Sequence, residues 1–203
     1  MNKIILISGF QPFGGDSINP SYEAVKRLPE EIGGFRIVKI ELPVVFGRAA
    51  ELFMEKIGEI QPCAAISVGQ AGGRTAITPE LIGVNMDNGR IPDNDGNQPV
   101  WEPIKEGSPD GIFSRLPIQK MTEAMNAAGV SASISTTAGA YVCNDLMYRV
   151  LEATAKSGFP YGFIHVPYIP EQTVDKPGEP SMPMEDIVKG LEISLKTLIE
   201  ECS

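Results

Sequence analysis

Short apolar runs of strand length alternate along this chain with segments whose apolar residues recur at helical spacing. The first run, Ile4-Ile5-Leu6-Ile7 within Lys3–Ser8, is too short for a signal peptide or a spanning helix and is expected to be a buried strand. Asn19 as N-cap and Pro20 at the first helical position predict a helix to about Leu28. A strand over Phe35–Leu42 follows, then an amphipathic helix over Arg48–Ile60 ended by Pro62, then a short apolar strand over Cys63–Val68. Pro79–Met86 reads as a further strand, while Asp87 to Asp110, rich in Asp, Asn, Gly and Pro, predicts a long irregular loop. A helix over Ile118–Ala128 stopped by Gly129 leads into a strand over Val130–Ser135. Leu146, Met147, Val150, Leu151 and Thr154 then recur at helical spacing up to Lys156 and Gly158. Tyr161–Val166 is a strand, a Pro-rich connection runs through Pro183, and Glu185–Glu200 is a closing helix.

Strands alternating with helices of these lengths predict an α/β fold, a three-layer α/β/α sandwich on a largely parallel, twisted central sheet. With 203 residues, no internal repeat and no linker, residues 1–203 are expected to form one domain. Ligands of such sheets bind beyond the carboxyl ends of the strands. Four unusual stretches fall there: Gly9–Gly15, Gly69–Arg74, Thr136–Cys143 and His165–Glu171. Their convergence at one sheet edge is the main physical argument for a site.

Composition narrows the chemistry. Hydrophobic content of 42% and charged content of 21% suit a soluble globular protein, and a formal net charge of −9 argues against nucleic acid or an anionic membrane as partner. Cys63, Cys143 and Cys202 are far apart and without metal-ligand spacing, which suggests reduced thiols in the cytosol. His165 is the only histidine, so a multi-histidine metal site is excluded and any imidazole chemistry must use it.

Cys143 lies at a strand–turn–helix junction, where unpaired N–H groups and the positive end of the helix dipole would stabilise a thiolate. It is also in phase with Leu146, Met147 and Val150, the pattern of an ordinary buried thiol. His165 interrupts an apolar strand end, as either a hydrogen-bonded structural residue or the base of a Cys–His pair. Glu80, at an element boundary, is a surface acid by default but fits the third group that such a pair needs to orient its imidazole. Arg90 is by default a surface or ion-pair residue, and could supply positive charge to an oxyanion. Gly9–Gly15 is no phosphate loop, because Gly15 and Asp16 stand where Lys and Ser/Thr belong. Asp93-Asn94-Asp95-Gly96 lacks the first calcium ligand, since Ile91 occupies its place, and is expected to form turns. Packing and terminal exposure suffice to explain Cys63 and Cys202.

The blocks Gly9-Phe10-Gln11-Pro12-Phe13-Gly14-Gly15, Asn19-Pro20-Ser21, Gly69-Gln70-Ala71-Gly72-Gly73-Arg74, Arg90-Ile91-Pro92-Asp93-Asn94, Val142-Cys143-Asn144 and His165-Val166-Pro167-Tyr168-Ile169-Pro170-Glu171-Gln172 together resemble the pyrrolidone-carboxylate (pyroglutamyl) peptidase family of cysteine peptidases. The resemblance covers nearly the whole chain, in the family's order. It implies an α/β/α fold and removal of an amino-terminal pyroglutamyl residue from peptides through a thioester acyl-enzyme. It implies a triad of Cys143, His165 and Glu80, aromatic pocket residues Phe10 and Phe13, a lactam-binding Gln70, and Arg90 near the oxyanion. It also implies a cytosolic homo-tetramer needing no metal or other cofactor. Ala140 and Tyr141 stand where the family usually has Thr and Phe, and Leu81 and Gly83 where it has a basic residue and Ala. Tyr141 is expected beside the lactam, where its hydroxyl could alter affinity. The competing readings are a glutaminase of the amidotransferase type, disfavoured by Asn144-Asp145 after the cysteine and Val166-Pro167 after the histidine, and a cyclic-imide-binding module with an inert Cys143.

Overall fold

The structure, a computed structural model, describes residues 2–202. Its strands are β1 (Ile4–Phe10), β2 (Glu31–Ile32), β3 (Phe35–Leu42), β4 (Ala64–Gln70), β5 (Thr78–Pro79), β6 (Ile82–Val84), β7 (Gly111–Phe113) and β8 (Tyr161–Val166). Its helices are α1 (Pro20–Arg27), α2 (Arg48–Ile60), α3 (Ile118–Ala127), α4 (Val142–Ala153) and α5 (Met184–Cys202). The main sheet has the order β2-β3-β1-β4-β8-β5. Its four central strands are parallel, and the two-residue strands β2 and β5 run antiparallel at the edges.

The strand alternation decides which helices cover which face. Ile5, Ile7, Ala64, Ile66, Val68, Ile164 and Val166 pack with α1, α3 and α5. Leu6, Phe10, Ala65, Tyr161 and Phe163 pack with α2 and α4 on the other face. Consecutive residues of a strand point to opposite faces, so a strand buried on both sides reads as a continuous apolar run. The crossover from β1 to β3 uses α1 and that from β3 to β4 uses α2, on opposite faces. The chain therefore changes direction between β1 and β4, and their carboxyl ends open a crevice there.

Local chemistry fixes the helix starts. Asn19 Oδ1 accepts the Ser21 N–H at 3.1 Å, and Ser21 Oγ accepts the Phe10 N–H at 3.0 Å, which ties α1 to the end of β1. Gly9 permits that approach, since a Cβ there would lie 2.5 Å from the Tyr22 backbone. At α4 the buried Asn144 accepts the Val84 N–H and donates to the carbonyls of Val84 and Met86, all at 2.9 Å. Asp145 accepts the Gly47 N–H at 2.8 Å and pairs with Arg149 one turn on.

Two expected strands turn out differently. Pro79–Met86 divides between β5 and β6, which belong to different sheets. Val130–Ser135 is extended beside β5 but makes only isolated parallel bridges, Ile77 to Ala132 and Glu80 to Ser135. Ile77 N–H donates to Ser131 O, Ser133 N–H to Ile77 O, Ser135 N–H to Pro79 O, and Leu81 N–H to Ser135 O. The missing rung is the one Pro79 would donate, and proline has no N–H. The short strands β2 and β7 carry too few residues for a period to show. Among the described residues no helix is long and apolar enough to cross a membrane.

Behind α4 the buried Asp87 faces Asp145, with Arg149 at 3.9 Å and Glu102 also close enough to act on it. One Asp87 oxygen has no hydrogen-bond partner among the described residues. Burial first, and then the Asp145 charge, push the Asp87 carboxyl up to about 8. The native protein thus keeps a proton that the unfolded chain releases above the ordinary aspartate value of 3.8. The stability from this group is complete below that value and is lost as pH rises toward 8. Asp87→Asn supplies a permanent N–H donor to Asp145. Urea midpoints between pH 5 and 8.5 should show the variant gaining on its parent by more than about 1 kcal/mol, a shift below one pK unit being smaller than this. Parallel pH profiles would mean that Asp87 is ionised in the native state.

Candidate active site

Register places the acid behind the imidazole. His165 pairs with Gly69 across β4–β8 and with Thr78 across β8–β5. Continuing that antiparallel edge, the Glu80 N–H donates to Phe163 O at 2.9 Å. His165, Phe163, Thr78 and Glu80 consequently share the sheet face that α4 covers. His165 Nδ1 lies 2.7 Å from Glu80 Oε1. Burial raises the Glu80 carboxyl, but the hydrogen bond and charge of His165, with Arg74 beside them, outweigh it and hold the group below its ordinary value. Glu80 is therefore a carboxylate, Nδ1 carries the proton it donates, and Nε2 is left as the basic nitrogen.

Glu80 is fully buried, and the same Oε1 accepts a second, charged hydrogen bond from Arg74 Nη1 at 2.6 Å. Arg74 also contacts the Thr78 hydroxyl and donates to Thr137 O at 3.1 Å. Glu80 Oε2 has no hydrogen-bond partner among the described residues. Arg74 went unassigned in the sequence. Its only signal there is a cation closing the glycine loop after β4.

Cys143, a half-buried residue, is the second of α4, and its thiol sits over the Cα of Gly69. A Cβ on Gly69 would come within 2.9 Å of Sγ and 2.8 Å of the Phe163 ring. Thiol and imidazole thus flank one glycine, His165 from the neighbouring strand and Cys143 from above. The α4 start was expected to favour a thiolate. Burial outweighs the dipole: it pushes the thiol up to about 12, Glu80 adding to the shift and Arg74 opposing it. Burial also lowers His165 below its ordinary value, against the pull of Glu80. Without substrate, both shifts favour a neutral thiol beside a neutral imidazole.

A cavity of about 760 Å³ opens over this pair at the carboxyl ends of β1, β4 and β8. Phe10, Phe13, Gln70, Arg90, Tyr141, Cys143 and His165 all line it, and Glu80 lies behind His165. Phe10 is nearly buried and packs on Phe163, with ring centroids 6.2 Å apart. Phe13 stands 6.1 Å from Tyr141, whose ring meets Phe46 edge-on at 5.2 Å. The Tyr141 hydroxyl donates to Pro92 O at 3.0 Å, so it serves to anchor the loop 85–98 to the start of α4. Arg90 is exposed at the rim, whereas Arg74 is the cation in contact with the acid. The site can therefore deprotonate a thiol next to an aromatic-walled cavity that has neutral amides at its floor. That is the equipment of nucleophilic acyl transfer.

Comparison with known proteins agrees with this chemistry. Residues 3–201 match the family model described as pyroglutamyl peptidase. The pyrrolidone-carboxylate peptidase of Clostridium perfringens is 52% identical over 197 residues, covering 96% of this chain and 92% of that protein. That of Lactobacillus johnsonii is 50% identical over 199 residues, covering 97% and 92%. The crystal structure of pyroglutamyl peptidase I from Bacillus amyloliquefaciens superposes with a TM-score of 0.94 at 43% identity, covering 98% of this chain and 95% of that one. The chain belongs to the pyroglutamyl peptidase family of cysteine peptidases.

Proposed function

We propose that Cys143, His165 and Glu80 remove amino-terminal pyroglutamate from peptides through a thioester. The observation that carries this reading is a cavity-lining thiol beside an imidazole whose Nδ1 is held 2.7 Å from a buried carboxylate. Substrate binding brings the pyroglutamyl carbonyl to Sγ. His165 Nε2 takes the thiol proton as the carbon–sulfur bond forms, then delivers it to the leaving amine as the peptide bond breaks. Water, deprotonated by the same nitrogen, hydrolyses the thioester and restores the thiol. Glu80 holds the ring and stabilises the imidazolium. The Cys143 N–H in the first turn of α4 and the rim cation Arg90 serve the oxyanion. Phe10, Phe13 and Tyr141 enclose the flat ring, and Gln70 bonds the lactam.

We read residues 1–203 as one catalytic domain and the protein as cytosolic, which its three free thiols support. A homo-tetramer is proposed from the family resemblance alone.

The test of function compares aminomethylcoumarin amides of pyroglutamate, proline, glutamine and glutamate. Proline lacks the lactam carbonyl and brings an ammonium for which Phe10, Phe13 and Gln70 offer no opposite charge. Two unsatisfied groups imply about 10²-fold or more in kcat/KM in favour of pyroglutamate. Alkylation of Cys143, or Cys143→Ser, should abolish the activity. Equal rates on the prolyl and pyroglutamyl amides would point to a general cysteine aminopeptidase.

Glu80→Gln should lower kcat by about 10²–10⁴, the upper end being the handicap of a serine-protease triad without its acid. The parent's acid limb of kcat/KM should lie below the ordinary imidazole value of 6.5, because burial lowers His165. Glu80 opposes that lowering, so its loss should move the limb to still lower pH. A limb that stays in place would remove Glu80 from the control of His165.

Gly69→Ala should fold yet lose at least about 100-fold in kcat/KM, because its Cβ displaces Sγ or the Phe163 ring. Unimpaired turnover in this variant would show that Sγ works from another position.

A further inference from the structure

Gln70 ends β4 with only 9% of its surface exposed, and it lines the cavity. Its Oε1 accepts a hydrogen bond from Gln172 Nε2 at 2.8 Å. Its own Nε2 has no protein acceptor among the described residues.

The orientation of both amides follows from groups whose polarity is fixed. The Ile169 backbone N–H can only donate, and it donates to Gln172 Oε1 at 3.2 Å. Gln172 Nε2 then faces Ile18 O and Asp16 Oδ2, each at 3.2 Å, and both can only accept. Turning Gln172 over would set its carbonyl against a carbonyl and a carboxylate, and its NH2 against an N–H. The Gln70 atom that meets Nε2 must therefore be the carbonyl oxygen. Asp16 is itself held by Lys176 at 2.8 and 3.0 Å, and the Lys176 ammonium lies 4.4 Å over the Tyr168 ring. The loop after β1 and the turn Pro170–Gln172 after β8 are thus braced together, and the polarity of their contact passes to Gln70.

We infer that Gln172 is a positioning residue for substrate selection: it holds Gln70 with its carbonyl turned away and its NH2 toward the cavity, so that the site demands a hydrogen-bond acceptor on the ring it receives. This rests on the functional reading above, in which that acceptor is the lactam carbonyl. A prolyl ring has only a methylene there. The lactam carbonyl lies away from the scissile bond, so its contact is the same in ground and transition states. Losing it should raise KM and leave kcat nearly unchanged.

The test is a double-mutant cycle on pyroglutamyl aminomethylcoumarin with Gln172→Ala, Gln70→Ala and the pair. Gln172→Ala should raise KM about tenfold, the worth of one well-placed neutral hydrogen bond, and change kcat by less than about twofold. In the Gln70→Ala background it should add nothing. Iodoacetamide should alkylate Cys143 at the parental rate in each protein. Gln172→Glu keeps the size of the side chain but cannot donate to Gln70 Oε1, so it should raise KM at least as much as alanine does. It carries the test even if the alanine variant fails to fold. Additive effects in the cycle, a fall in kcat at constant KM, or a glutamate variant that behaves like the parent would each overturn the inference. A parent without pyroglutamyl-amide hydrolysis would overturn the functional reading and this inference with it, whereas additivity in an active parent overturns this inference alone.

Discussion

The site depends on one buried carboxylate. Glu80 has no solvent exposure, and a single oxygen receives both His165 Nδ1 and Arg74 Nη1 while the other has no partner. Burying a charge is costly, and an ion pair in the interior rarely repays that cost in stability. The arrangement is intelligible only through what it does to the imidazole. It fixes the tautomer, leaves Nε2 for the cavity, and in the proposed mechanism supplies negative charge for the moment when His165 becomes cationic. Arg74 adds to the larger effect of His165 in making an ionised Glu80 tolerable there. Its positive charge also draws the Cys143 proton equilibrium back toward the thiolate, though burial still wins. Stability is spent at one atom, and the proposed reaction would use it.

That carboxylate reaches its place by way of an unusual edge. A strand parallel to β8 would need a long crossover, and its register would be set elsewhere. The antiparallel β5 is only two residues long, yet it fixes Thr78 opposite His165 and carries Glu80 onto the same face. Pro79 limits further growth of the edge by removing a rung toward Val130–Ser135. On the other side of the thiol, Asn144 and Asp145 clamp the start of α4 to β6 and to the turn before α2. Cys143 is thereby held between two rigid supports rather than on a mobile loop. The absent Cβ of Gly69 leaves room for Sγ between them.

Most of this fold was legible in the chain because its elements are long and strongly periodic. Phe35–Leu42, Arg48–Ile60 and Tyr161–Val166 have the bounds that their patterns announce. What failed is what has no period: two- and three-residue strands, and a strand whose ladder depends on a proline in its partner. In the site, residue type and position at a strand end were enough to single out Cys143, His165 and Glu80 for attention, while leaving an inert thiol and a structural histidine open. The meeting of Glu80 with His165 is a matter of register, which one sequence does not contain. Arg74 and Gln172 were hidden for a related reason. Each acts on another side chain, so its meaning exists only once the partner is placed. The thiol illustrates the opposite hazard. A helix start argues for a low pKa, but burial beside a carboxylate argues more strongly for a high one, and only the surroundings say which prevails.

The same opposition explains how such a site can choose a neutral ring. The cavity offers an amide and aromatic faces, and two carboxylates at or behind its wall are engaged, Glu80 by His165 and Arg74 and Asp16 by Lys176, while Glu179 and Arg90 also line it. A peptide with an ordinary amino terminus would bring an ammonium among Phe10, Phe13 and Gln70, none of which carries a charge to pair with it. Cyclisation of a glutamyl terminus removes that charge and adds a carbonyl, the change that the Gln70 NH2, oriented as inferred above, would reward. A neutral thiol at rest fits this picture as well. A standing thiolate beside an empty aromatic cavity would attract cations and stray electrophiles. One formed only as His165 takes its proton appears when the acyl carbon is already in place. Selectivity and nucleophilicity then share a physical origin, an aromatic-walled pocket beside a thiol that stays neutral until the substrate has entered.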